Sequence, residues 1–217
     1  MPGFLYHLAC ANEVIKARPT QENERDMFFI GNILPDLATD KGKSHYRIRN
    51  QNGWKIPNLD QVFEELSAIA ITNPYYAGII CHLILDYVFI TDVLSTKYTL
   101  DDKTVFFANT GQTWSIDDFL SKRTGFYVDY SAYNSKLFAQ KLISVSDLSI
   151  LDCPPPKHIF KNLGWQQNDR DLQKELQDYL TNTTREPLGF FSYNEILSSI
   201  HKTTNIFIKN YSTFANS

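Results

Sequence analysis

The longest apolar run in the chain spans residues 75–94 and reads YYAGIICHLILDYVFITDVL. With little polar periodicity, it predicts a helix buried on most sides, opened by Pro74, whose missing N–H costs little in a first turn. Other stretches place apolar residues at helical spacing. Residues 3–17 carry Phe4, Leu5, Leu8, Ala11, Val14 and Ile15 in one stripe, ended by Arg18-Pro19-Thr20. Residues 21–34 carry Met27, Phe28, Ile30 and Leu34 and are expected to close at Pro35-Asp36. Residues 58–71 present Leu59, Val62, Phe63, Leu66 and Ile69, with Asn58 as cap and Gln61 three residues on. Three more helices are predicted over 129–143, 168–180 and 192–214. In the second of these Asn168 caps and Leu172, Leu176, Tyr179 and Leu180 form the apolar edge. Ser192 with Glu195 three residues later opens the third. A helical turn capped by Ser115 is expected over 115–120, and 97–113 is the stretch that can hold a short hairpin. The pattern predicts an all-α protein, one compact multi-helix domain over 1–217.

Two residues interrupt the central run: His82 and Asp86. Four apart, they face the same way from neighbouring turns, and a buried carboxylate is expensive unless something pairs with it. Two readings stay open on spacing alone. His82 is a neutral core histidine bonded to a carbonyl with Asp86 as its acceptor, or the pair ligates a divalent metal. A membrane span fits the length of about 20 residues. It would place His82, Asp86 and Asp92 in hydrocarbon with no basic cluster at either end, so it is set aside.

Composition narrows the classes. Of 217 residues, 43% are hydrophobic and 21% charged, which is globular rather than disordered. A net charge of −3 argues against duplex nucleic acid gripped by a broad basic face. Small anionic or single-stranded substrates stay open, since a metal supplies positive charge locally. Cys10, Cys81 and Cys153 are odd in number and far apart, so no disulfide framework is expected. The N-terminal segment has no basic region ahead of its apolar part and turns polar by Asn12. It is expected to be a structured beginning rather than a signal peptide, with the cytoplasm as default compartment.

Residues 36–52, DLATDKGKSHYRIRNQN, form a polar stretch in which Asp36 and His45 have ligand chemistry. Its Lys41, Lys43, Arg47 and Arg49 read either as a solvated loop face or as a clamp for an anion. His7 lies in the first helical stripe, where alone it reads as a core histidine. Taken together, His7, Asp36, His45, His82 and Asp86 make a His₃Asp₂ set. Those donors match the nitrogen and oxygen chemistry of catalytic zinc, not the thiolate-rich chemistry of structural zinc. Facing helices of a bundle can build such a site.

The segments FLYHLA, FFIGNILPDLA, SHYR and GIICHLILDYVF, in that order within roughly the first 95 residues, resemble the zinc-dependent phospholipase C family. Its superfamily also holds the S1/P1-type nucleases. The resemblance implies the helical phospholipase C/P1 nuclease fold. It implies His7 as the first-helix histidine, Asp36 and His45 as ligands flanking the first long loop, and His82 and Asp86 as an HxxxD pair whose aspartate can bridge two metals. It also implies hydrolysis of a phosphodiester or phosphomonoester by a metal-bound hydroxide, with Asp36 as a candidate general base. Asp92 stands where the family has a further histidine, and the later HxxxE or HxxxD pair is missing: Asn205 follows His201 by four. His158 and His201 are therefore read as structural or exposed, and one or two zinc ions are expected rather than three. No Lys- and Arg-rich amphipathic helix suggests a membrane surface, so a small anionic phosphoester is expected over phospholipid. The alternative is a metal-stabilised or degenerate relative that binds a partner and catalyses nothing.

Overall fold

A computed structural model describes residues 3–19, 21–121, 124–181 and 186–214. Its helices are α1 (Phe4–Ala17), α2 (Glu22–Leu37), α3 (Lys41–Ser44), α4 (Leu59–Ala70), α5 (Pro74–Phe89), α6 (Ser95–Lys97), α7 (Ile116–Phe119), α8 (Tyr127–Ala139), α9 (Lys157–Asn162), α10 (Leu172–Thr181) and α11 (Tyr193–Phe214). The long ones are α1, α2, α4, α5, α8, α10 and α11, and they occupy the seven stretches whose periodicity predicts helices.

Local chemistry explains most boundaries. The Asn73 side chain accepts the Tyr75 N–H, and Pro74 takes the first turn of α5. The Ser192 hydroxyl accepts the Glu195 N–H while the Glu195 carboxylate accepts the Ser192 N–H, a complete capping box. At α4 only half of that device forms: Asn58 accepts the Gln61 N–H, but the Gln61 amide donates to Glu65 instead. Ser115 accepts the Asp118 N–H as expected.

The start of α10 differs from expectation. Asp171, not Asn168, accepts the first N–H, that of Lys174, while Asn168 donates to the carbonyls of Asp36 and Ala38. Leu172 and Leu176 are buried as predicted, and the side chains of Tyr179 and Leu180 lie outside the described ones. Helix α2 runs to Leu37, past its expected close, because a proline this near a C-terminus forfeits one bond without breaking the helix.

The all-α expectation holds coarsely: the described residues are mostly helical and include two small antiparallel sheets. Strands β1 (Arg47–Arg49) and β2 (Lys55–Pro57) pair with Ile48 opposite Ile56. Strands β3 (Tyr98–Leu100), β4 (Thr104–Phe107) and β5 (Thr113–Ser115) form the second sheet in that order. The hairpin expected over 97–113 is there, with a third strand added. Strand β1 lies unannounced within the polar stretch 36–52, because three-residue strands are too short to show alternation. Its turn is built locally: Asn50 accepts the N–H groups of Asn52 and Trp54, and Gly53 takes φ of +80°.

Every residue from Tyr76 to Asp86 is buried, with α2, α4 and α11 packed on α5 and α1 on α2 and α11. The continuous helical segment Pro74–Lys97 is long and apolar enough to cross a bilayer by length and composition alone. In the fold, 83% of its most apolar window is buried inside the protein, the position of a core helix.

Candidate metal centre

The fold brings all five sequence-predicted ligands to one point. His7 comes from α1, Asp36 from the last turn of α2, His45 from the residue closing α3, and His82 and Asp86 from one face of α5. The His45 and His82 Nε2 atoms stand 3.3 Å apart, and each lies 3.6 Å from Asp86 Oδ2. The other Asp86 oxygen, Oδ1, faces His7 Nε2 at 3.6 Å, and Asp36 Oδ1 is 3.6 Å from His45 Nε2. The His7 ring stacks flat on His82, with centroids 3.6 Å apart. Two triads, His7/Asp36/His82 and His45/His82/Asp86, each place their donor atoms within 4.8 Å of one another.

Hydrogen bonds on the outer side of two rings settle which nitrogen faces inward. His82 Nδ1 lies 2.7 Å from the Asn32 carbonyl, which only accepts, so Nδ1 carries the proton. Ser44 Oγ donates to the Pro35 carbonyl and so accepts from His45 Nδ1 at 2.9 Å. In the neutral rings both Nε2 atoms are then bare lone pairs aimed at each other across 3.3 Å. Such a pair repels unless a cation sits between it. The spacing agrees with two nitrogens of a tetrahedral zinc site, about 3.3 Å apart for Zn–N bonds near 2.0–2.1 Å. Both nitrogens of His7 and both oxygens of Asp86 are buried without a hydrogen-bond partner. Buried polar groups left unpaired cost enough that such a set calls for a ligand.

The cluster is nearly closed to water. His7, His45, His82 and Asp86 are fully buried and Asp36 is 8% exposed, so Asp36 marks the only edge of the cluster that reaches solvent. Burial, and then the charge His82 can carry, push His7 down to about 3, and burial lowers His45 as well. Burial raises Asp86, but the close approach of His82, with help from the charges His7 and His45 can carry, brings it down to about 2. Burial likewise raises Asp36, yet His45 and the other histidines hold it well below the ordinary carboxylate range.

A pH dependence follows for the metal-free protein. His7 binds a proton near pH 6.5 when unfolded and near 3 when folded, so between those values the unfolded chain holds more protons. Stability is therefore expected to fall as pH drops from about 6.5 toward 3, by up to about 1.4 kcal/mol per pH unit for one such group. Asp36 and Asp86 extend the loss to lower pH, through and below 3.8. Urea unfolding of chelator-treated protein across pH 4–8 checks this, and a flat profile would show that the histidines are not held neutral.

Lys41 Nζ donates to the Asp36 carbonyl and lies 3.4 Å from its carboxylate, so one member of the suggested basic clamp reaches the cluster. Lys43 is exposed, and Arg49 pairs with Asp102 at 3.0 Å. Arg47 lines a hollow of about 330 Å³ with Trp54 and Tyr127. Sequence reading missed Arg170, whose Nη1 stands 3.6 Å from Asp36 Oδ2 while Nε and Nη2 grip Glu175. It gets there because residues 166–168 pair with the end of α2: Thr39 N–H to the Gln166 carbonyl and Asn168 N–H to the Leu37 carbonyl. No local pattern announces that crossing. His158 and His201 are exposed, and Asp92 pairs with Lys202. Compared with known protein families, curated proteins and solved structures, the chain has no match.

Proposed function

We propose that the chain is a zinc-dependent hydrolase of a small anionic phosphoester. The observation that carries this reading is the pair of inward-facing Nε2 atoms of His45 and His82, 3.3 Å apart and shared with Asp86 Oδ2. His7, Asp36, His45, His82 and Asp86 would hold one or two ions, within a helical arrangement like that of phospholipase C and the P1 nucleases. A bound zinc ion supplies Lewis acidity toward a phosphoryl oxygen and brings the ionisation of a coordinated water near neutral pH.

The chain's own groups divide the remaining work. Asp86 offers its two oxygens to different histidines, the arrangement a shared carboxylate needs. Two neutral-to-cationic neighbourhoods meet at Asp36: the buried histidines on one side, Lys41 and Arg170 on the other. The two cations would meet the oxygens of an entering anionic substrate, and Asp36, at the solvent edge, is a candidate general base only when it does not itself ligate the metal.

One feature favours the second reading, a metal-stabilised protein without catalysis: four of the five ligands have no exposed surface. A catalytic ion needs an open position, and a structural one does not. Metal analysis followed by turnover of bis-p-nitrophenyl phosphate separates them. Catalysis predicts stoichiometric zinc, a rate rising through neutral pH, and an Arg170→Ala variant that keeps its zinc while KM rises about 10-fold or more, the worth of a hydrogen bond to a charged group. Full zinc occupancy with no turnover of phosphodiesters or phosphomonoesters would establish the non-catalytic reading.

A further inference from the structure

The hollow of about 330 Å³ beside Arg47, Trp54 and Tyr127 lies against the metal cluster. Ile90 lines it and donates its backbone N–H to the Asp86 carbonyl, one turn back along the same helical segment. Arg47 lines it two residues beyond His45 in the chain. Tyr127, at the start of α8, belongs to both places: burial pushes its hydroxyl up, Asp36 and Asp86 add to that, and Arg47 and Arg170 oppose it. Two kinds of surface meet in the hollow. Leu100, Ile116 and Leu120 supply apolar wall, and Leu120 is 38% exposed. Arg47 and Arg49 share one face of β1, with Lys55 opposite Arg49 in β2, so the hairpin contributes a cationic wall. The two acids of the lining are exposed and engaged. Asp102 pairs with Arg49 at 3.0 Å, and Asp101 accepts the N–H groups of Lys103 and Thr104.

Resting on the hydrolase reading of the cluster, we infer that this hollow holds the alcohol portion of the phosphoester, and that this alcohol is aromatic. An aryl ring gains from both kinds of wall. The apolar side chains take its area out of water, and a guanidinium attracts its π face. An alkyl alcohol gains only from the first. A cavity of about 150 Å³ holds one benzene, so the hollow has room for two fused rings. Trp54 Nε1 already donates to the Tyr98 carbonyl, and Leu100, Ile116 and Leu120 offer no hydrogen bond. A plain ring is therefore favoured over a nucleobase, whose polar edge would go unread. The phosphoryl group of such an ester would lie toward the histidines, Lys41 and Arg170.

The test uses zinc-loaded full-length protein and two non-hydrolysable probes, (1-naphthylmethyl)phosphonate and methylphosphonate, titrated by calorimetry. Binding is compared rather than turnover, because a naphthol also leaves more readily than methanol. The naphthyl probe should bind one to one and at least about tenfold more tightly than the methyl probe, from the ring area it buries. Its ring current should shift the NMR methyl resonances of Leu100, Ile116 and Leu120 in the native chain. Leu120→Asn, at an exposed position, should cut the naphthyl-over-methyl ratio about fivefold with an unchanged circular dichroism spectrum. Equal affinity of the two probes, methyl shifts confined to other residues, or an unchanged ratio in folded Leu120→Asn would each overturn the inference. Any of these beside turnover of bis-p-nitrophenyl phosphate would leave the hydrolase reading standing. No turnover, together with no binding of either probe, would overturn both.

Discussion

His82→Ala is expected to abolish zinc binding and, with it, phosphoester hydrolysis. His82 belongs to both candidate triads, so no three-ligand subset made of them survives its loss. Its Nε2 is 3.3 Å from His45 and 3.6 Å from Asp86, and its ring supports the stacked ring of His7. Removing an outer partner of a ligand typically costs 10–100-fold in metal affinity; removing the ligand itself should cost about 100-fold or more. The metal-free protein should also weaken, by about 2–4 kcal/mol, through the cavity and the Asn32 carbonyl left without its donor. Metal content and zinc titration separate this from mere destabilisation, with His201→Ala, an exposed histidine, as the unchanged control. A folded His82→Ala protein that keeps stoichiometric zinc would return His82 to the role of a core histidine bonded to a carbonyl.

The second large effect belongs to a residue with no polar chemistry. Gly78→Ala should destabilise the fold by about 3 kcal/mol or more and loosen the metal site at the same time. A Cβ at Gly78 would stand 2.2 Å from the Phe28 carbonyl oxygen and 2.7 Å from the Asn32 nitrogen, both backbone atoms of α2. No rotamer change relieves contact with backbone, so α2 and α5 must move apart. Alanine favours an isolated helix over glycine by about 1 kcal/mol, and the clash outweighs that gain. Gly31 makes the reciprocal approach, its Cβ position 2.2 Å from the Tyr75 oxygen. Since α2 carries Asp36 and α5 carries His82 and Asp86, separating them spreads the cluster. Urea unfolding and zinc affinity should fall together. Wild-type stability in Gly78→Ala would mean that the two helices do not pack through glycine.

Much of the helical frame was legible in the chain because each long helix buries one stripe, and burial of a stripe writes a 3.6-residue period into the sequence. The caps were legible where a side chain and the backbone group it serves are three residues apart, as at Ser192 and Ser115. They were misread at Asn168, whose amide is drawn away by the carbonyls of Asp36 and Ala38, far off in sequence. The small sheets escaped for a different reason. Strands of three residues, one beside a loop rich in Lys and Arg, leave no alternation to detect.

The sequence by itself determined the central buried helix, the placing of His82 and Asp86 on one of its faces, and the nitrogen and oxygen donor types of the candidate site. These are properties of spacing and residue chemistry, which hold wherever the helix ends up. Only the tertiary structure decided that His7 and His45 reach that face, that Asn32 and Ser44 turn both Nε2 atoms inward, and that Arg170 stands beside Asp36. Each of those depends on long-range packing: α2 can press against α5 only through Gly31 and Gly78, and residues 166–168 are held over α2 by backbone hydrogen bonds. Backbone pairing of that kind is indifferent to side-chain identity, and so leaves no trace in the order of the residues.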